Sequence, residues 1–264
     1  MNKDIDGQNV DDFDLFLKYY NQDILSYDER DFDICYRLSS LNFDKYEGTK
    51  LKYCRLKKMF YKAIESLGTN TKDFYLNLPN LKIKRSKFAD GYAEIVGNNK
   101  EQAIYLNDEH LKDIDFVAFS HEMGHIPTIK NGASFDYFEY SEVLSMFFEY
   151  LASIYIDKEH VTDLFLNSRL EISSLEALMF LEANDMKKDD NSITDKLLLN
   201  EMRECYKYII SFEYALNLVE LYKNDRNLLK GIIDKIVNGE SSFKEFENEY
   251  NLNIKEYKIL KKHI

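Results

Sequence analysis

Phe116–Pro127 reads FVAFSHEMGHIP and contains two of the five histidines of the chain. His121 and His125 are four residues apart, and Glu122 directly follows the first. On a helix, a step of four residues returns to the same side, so the two imidazoles should be neighbours. Two such imidazoles can bind one Zn²⁺, with Glu122 as general base for a water at the open position of the metal. The alternative is a chance His-Glu-x-x-His string on a buried helix, and a third ligand would argue against it.

The helix that carries this motif is predicted to begin at Asn107 or Asp108, either of which can cap it. It is predicted to end at Ile126, because Pro127 follows. The other residues on the face of the two histidines are apolar. The imidazoles are therefore expected to point inward.

A third ligand is found in the next predicted helix, YSEVLSMFFEYLASIYI. Glu142 and Glu149 are the only charged residues between positions 142 and 156, in a segment that is otherwise apolar nearly all round. A buried carboxylate needs a cation or strong hydrogen-bond donors. Glu142 is therefore the predicted third zinc ligand. Glu149, with Ser145, is predicted to orient a ligand imidazole or Glu142. The alternative for each carboxylate is to face solvent or to pair with a lysine.

The type of site follows from the number of ligands. Two histidines and one glutamate leave a fourth zinc position for water, as in catalytic sites. A structural zinc would have four protein ligands, often cysteines, and no cysteine is near in the sequence. The pattern therefore favours catalysis.

Composition limits the function classes. The chain has 264 residues, and its 45% hydrophobic content is enough to build a core. A net charge of −12 would repel nucleic acid and anionic membrane surfaces, so a peptide or a basic partner fits better. The N-terminal stretch MNKDIDGQNVDDFDLF lacks the pattern of a secretory signal, and no stretch reaches membrane-spanning length, which predicts a cytoplasmic protein. Cys35, Cys54 and Cys205 are expected to be reduced, buried packing residues.

The chain is predicted to be mainly α with a small antiparallel β-sheet (α+β). Only two prolines and nine glycines interrupt it, so long helices should dominate. One domain, 1–264, is expected, with an N-terminal helical part at 1–79. The sheet is expected at 80–107, where LKIKRSKF and GYAEIVGNNKEQAIYLN alternate and Gly97-Asn98-Asn99 can form a hairpin turn. The zinc-site helices and C-terminal helices follow at 108–264.

HEMGH and EVLSMFFE together resemble two motifs of the thimet oligopeptidase and oligopeptidase F family of zinc peptidases. In that family a His-Glu-x-Gly-His helix precedes a helix with a zinc-binding Glu, then Ser three and Glu seven residues later. The resemblance extends over about residues 80–250. It implies a zincin-like core of the gluzincin type with one Zn²⁺ per chain, held by His121, His125 and Glu142, with Glu122 as general base.

The chain also departs from the family. The family usually continues its zinc helix with another histidine, and its later loop with a transition-state histidine is missing here. Tyr208 and Tyr214 are the nearest matches to the family's tyrosines and are candidates for that role. Family members are far longer, so their restriction to short peptides is not carried over.

The predicted function is a zinc metallopeptidase that cleaves peptides or an extended protein segment. The substrate would pair with an edge strand, either Gly91–Val96 or Ala103–Leu106, with Gly91, Tyr92 and Ala93 as substrate-binding residues. A zincin-like binding or regulatory protein with little turnover is the alternative, and a metal-free helical scaffold is a third. The oligomeric state stays open.

Overall fold

A computed structural model describes residues 49–78, 81–86, 92–96, 101–107, 111–131, 141–156 and 196–241. Within these ranges the chain is mainly helical with one small sheet, which confirms that part of the predicted fold. The helices and strands follow the predicted order of helices, strands and helices, while the single domain stays a prediction. None of the helices in these ranges is long and apolar enough to cross a membrane.

The elements are numbered in chain order. The α-helices are α1 (Leu56–Ala63), α2 (Thr69–Leu76), α3 (Ile114–Asn131), α4 (Val143–Tyr155), α5 (Lys196–Asn224) and α6 (Arg226–Asn238). Short 3-10 helices cover Tyr53–Arg55 and Ile64–Leu67, and the strands are β1 (Lys82–Ser86), β2 (Tyr92–Val96) and β3 (Glu101–Asn107).

The helical segment before the sheet carries the apolar residues Leu51, Cys54, Leu56, Met59 and Phe60, a pattern that predicts one buried helix face, and the structure buries part of it. Leu56 and Phe60 of α1 have no exposed surface, and the segment ends at Gly68, whose φ of 105° favours glycine. Cys54, however, is exposed. The expectation of a buried thiol is wrong there, because the 3-10 turn before α1 buries none of its residues. Cys35 and the side chain of Cys205 lie outside the described residues.

The sheet has the strand order β1-β3-β2 and is mixed. β1 runs parallel to β3, with Lys82 opposite Ala103, whereas β2 runs antiparallel to β3, with Ala93 opposite Ile104. The antiparallel prediction is therefore confirmed for β2 and wrong for β1. Alternation of apolar and polar residues indicates a strand but not its direction, which explains the error. The predicted turn at 97–99 lies outside the described residues.

The start of α3 is set by pairing with a distant segment. Asp113 accepts hydrogen bonds of 2.8 Å from both the backbone N and the Oγ1 of Thr49, and Leu51 N donates to Leu111 O at 2.9 Å. The helix therefore begins at Ile114. The predicted cap at Asn107 is wrong, because that residue is the last of β3. The alternative cap, position 108, lies outside the described residues.

The end of α3 also differs from the prediction, because the helix continues through Pro127 to Asn131. Proline has no N–H, so the carbonyl of Met123 loses its usual partner four residues later. The buried hydroxyl of Tyr75 donates to this carbonyl at 3.0 Å. A side chain from α2 thus replaces the missing helical bond, and the helix need not stop at the proline.

The core is centred on α3 and α4. These two helices pack against each other, α1 contacts both, and α5 packs on α4. The whole of Val143–Ser153 is buried. Phe60 packs edge to face against Tyr75, Phe119 and Phe148, with ring centroids 5.0 to 6.1 Å apart. The histidine motif therefore lies on a helix that is fixed by packing on several sides.

Candidate metal centre

α3 and α4 approach each other closely at Gly124, which faces Ser145. A Cβ on Gly124 would lie 2.5 Å from Ser145 N and 2.8 Å from Ser145 Oγ, well inside van der Waals contact. Glycine is thus required here, although glycine in a helix costs about 1 kcal/mol relative to alanine. The close approach brings Glu142, which precedes Ser145 by three residues, beside His121 and His125.

Three side-chain atoms converge between the two helices. The Nε2 atoms of His121 and His125 are 3.1 Å apart. Glu142 Oε2 lies 3.2 Å from the first and 3.3 Å from the second. Glu142 occupies the N-cap position of α4, yet its side chain makes no capping hydrogen bond. The three predicted ligands therefore form a buried His-His-Glu group that could hold a metal ion.

The geometry of this group fits a small metal ion. A tetrahedral zinc with bonds of about 2.0–2.1 Å holds its ligand atoms about 3.3–3.4 Å apart. The three distances here are close to that value. Glu142 Oε2 is buried and accepts no hydrogen bond of good geometry, although both imidazoles are near. A cation shared with the two nitrogens would satisfy such an oxygen.

Glu149 lies behind His121, as predicted. Its Oε1 is 2.7 Å from His121 Nδ1, and its side chain is only 2% exposed. Because Nδ1 faces this carboxylate, Nε2 is the nitrogen available to a metal. Ser145 Oγ has no hydrogen-bond partner among the described residues, so a role in orienting a ligand is not visible for it. The solvent-facing alternative is wrong for both glutamates, which are buried.

The charges of the group shift its protonation. Burial alone would lower the pKa of His121, but the carboxylates of Glu149 and Glu142 outweigh it and raise this pKa to about 9. Burial lowers the pKa of His125 to about 4, against the opposing effect of Glu142. Burial disfavours the Glu142 carboxylate, yet His121, His125 and Lys207 together lower its pKa to about 2. Without metal, His121 is therefore the cationic imidazole and His125 the neutral one.

Lys207 is the residue of this site that the sequence did not reveal. Its Nζ lies 3.3 Å from Glu142 Oε1 and its side chain is 11% exposed. Glu142 is therefore paired with a lysine, which was the alternative for this residue, and it also lies beside the two imidazoles. A lysine on the long helix α5 resembles many solvent-facing lysines in sequence. Only its position before Tyr208, already a candidate, could have drawn attention to it.

The two candidate tyrosines differ in their surroundings. The ring of Tyr208 lies 4.6 Å from Lys207 Nζ, which links it to the site. Tyr214 has no exposed surface and belongs to the core, which argues for a packing role. A transition-state role for Tyr208 stays a prediction.

Glu122 and the predicted substrate-binding strand are the remaining candidates for the site. Glu122 is 7% exposed on α3, directly after His121. Tyr92 and Ala93 lie on β2, which is at an edge of the sheet among the described strands, whereas Gly91 is outside the described residues. The alternative strand, Ala103–Leu106, belongs to the central β3 and is therefore not an edge.

No protein-family model, curated protein or solved structure significantly matches the chain. The resemblance to the thimet oligopeptidase and oligopeptidase F family therefore rests on the sequence motifs and stays an expectation. The described part of the chain is a mainly helical protein with a buried group of metal-ligand type.

Proposed function

We propose that this protein is a zinc-dependent metallopeptidase with a zincin-like core. The observation that carries the proposal is the triangle of His121 Nε2, His125 Nε2 and Glu142 Oε2, with sides of 3.1 to 3.3 Å. Two imidazoles and one carboxylate are the ligands of many catalytic zinc sites. One ion per chain is expected.

The presence of Glu122 next to a metal ligand favours a hydrolase over an Fe(II) oxygenase, which can use the same three ligands. Two histidines and a carboxylate also bind Fe(II) in oxygenases, but those enzymes do not need a base beside the metal. Zinc, when bound, polarises a carbonyl group and makes a water molecule more acidic. Glu122 would accept the proton from the attacking water and then donate it to the leaving amine.

The position of β2 suggests how a peptide would bind. α3 packs against β2 and β3, so Tyr92–Val96, an edge strand among the described strands, runs beside the helix that carries the histidines. A peptide in an extended conformation could add to this edge through backbone hydrogen bonds. Such binding would accept many sequences, because the backbone provides most of the contacts.

The test compares the wild type with Glu122→Gln. The change keeps the side-chain size and the three metal ligands, so zinc content and melting temperature should change little. Cleavage of a mixed peptide library should fall at least ~10²-fold, because an amide cannot accept the proton. Glu220→Gln, on an exposed position of α5, is the matched control and should retain full cleavage.

Two outcomes would overturn the proposal. Retained cleavage by a folded, zinc-loaded Glu122→Gln protein would contradict the role of Glu122. A zinc-loaded wild type that cleaves no peptide would favour a binding or regulatory protein that keeps the metal site without turnover.

A further inference from the structure

Lys207 brings a positive charge into the metal centre from a third helix. α5 packs against α4, and Lys207 crosses this contact to place Nζ 3.3 Å from Glu142 Oε1. The same Nζ lies 4.6 Å from the ring centroid of Tyr208, at cation–π distance. With a side chain only 11% exposed, the ammonium group is held by the protein on two sides.

The two oxygens of Glu142 therefore have different neighbours. Oε2 faces the two imidazole nitrogens, at 3.2 and 3.3 Å, whereas Oε1 faces the ammonium group of Lys207. A carboxylate can bind a metal through one oxygen or through both. An oxygen that is paired with an ammonium group is directed away from the ion.

We propose that Lys207 is a positioning residue that restricts Glu142 to one metal-binding oxygen. This inference depends on the metal centre of the proposed function and adds a determinant of its coordination number. A second oxygen on the ion would occupy the position that water or a substrate carbonyl needs. By holding Oε1, Lys207 keeps that position open.

The test uses Co²⁺ in place of zinc, because its visible spectrum reports coordination number. Wild type and Lys207→Arg, which keeps the cation, should bind one Co²⁺ per chain with intense four-coordinate bands. Lys207→Met should bind the same amount with weaker bands, since Glu142 can then use both oxygens. Lys223→Met is the matched control and should resemble the wild type, because Lys223 is an exposed residue of the same helix whose Nζ lies over the Tyr150 ring, at 5.9 Å, and not beside Glu142.

A measurement on the wild type alone tests the inference even if the variant does not fold. X-ray absorption of the zinc-loaded protein should show a carboxylate bound through one oxygen, with the longer zinc–carbon distance of that mode. Binding through two oxygens would overturn the inference. So would a metal-loaded Lys207→Met protein with the wild-type cobalt spectrum.

Failure of the metal centre would look different. If the wild type and His121→Ala took up equal Co²⁺, the proposed ligands would be wrong, and the role of Lys207 would be rejected with them. If only the lysine variants behaved unexpectedly, the metal centre would stand and the positioning role alone would be rejected.

Discussion

At His121, burial and two carboxylates act on the same imidazole in opposite directions. The carboxylates prevail and the pKa of His121 rises to about 9 from an ordinary 6.5. A raised pKa means that this group stabilises the metal-free protein below about pH 6.5 and that the contribution is lost as the pH rises through about 9. For His125 the sign is reversed. Its pKa of about 4 means that the folded state loses stability as the pH falls from 6.5 toward 4.

Metal binding should therefore release a proton from His121 near neutral pH. The imidazole must be neutral to bind a metal, so about one proton should leave it at about pH 7.5. Calorimetric titrations with zinc in buffers of different ionisation enthalpy measure this release. The affinity should rise with pH up to about 9, above the range in which an ordinary histidine titrates.

Glu149→Gln is the matched variant for this prediction. Removal of the carboxylate 2.7 Å from Nδ1 should lower the pKa of His121, and the proton release at the same pH should decrease. Protons lost by water are common to both proteins and cancel in the difference. Equal release by wild type and variant would show that His121 is not the group that titrates.

The close contact between α3 and α4 depends on the absence of a side chain at Gly124. Alanine there would press its Cβ against the backbone of Ser145, which cannot move away as a side chain can. Overpacking of this kind costs about 1–3 kcal/mol, against a gain of about 1 kcal/mol in helix propensity. Gly124→Ala should therefore lower the free energy of unfolding and weaken zinc binding.

Gly231 provides the control for this substitution. It lies inside α6, and a Cβ there meets no atom within 4 Å. Gly231→Ala should stabilise the protein by about 0.5–1 kcal/mol and leave zinc affinity unchanged. Urea unfolding of both variants gives the comparison. A stabilised, zinc-binding Gly124→Ala protein would contradict the close approach of the helices.

Pro127 and Tyr75 form a second test at the level of helices. Tyr75→Phe leaves the buried carbonyl of Met123 without its donor and should cost about 1–3 kcal/mol. In a Pro127→Ala background the backbone N–H at position 127 can donate to the same carbonyl, so the cost of Tyr75→Phe should shrink. Unfolding free energies of the four proteins measure this coupling, and strictly additive effects would disprove it.

For the whole molecule, a metal held between α3 and α4 should couple binding to stability. Zinc that binds the folded state alone raises its stability by about 2.7 kcal/mol at a free concentration 100-fold above Kd. The melting temperature should therefore fall when a chelator removes the metal. His125→Ala should melt at the same temperature with and without chelator, and an equal shift in this variant would contradict the assigned ligands.

The sequence by itself determined the elements whose signal is local. The four-residue step from His121 to His125, and the seven-residue step from Glu142 to Glu149 in an apolar segment, each depend only on the helical period. His121 and His125 lie on α3, Glu149 lies on α4 with Glu142 at its N-cap, and the three predicted ligands converge. The buried glutamates were informative because a lone carboxylate in an apolar helix needs a partner.

The tertiary structure alone decided features that depend on residues far apart in the chain. Pairing of 49–51 with 111–113 fixed the start of α3, and the hydroxyl of Tyr75 let that helix pass Pro127. The parallel direction of β1 and the position of Lys207 beside Glu142 also depend on contacts between residues far apart in the chain. Periodicity reports which face of an element is buried, but not which distant group will lie against it, because that is set by the packing of the folded chain.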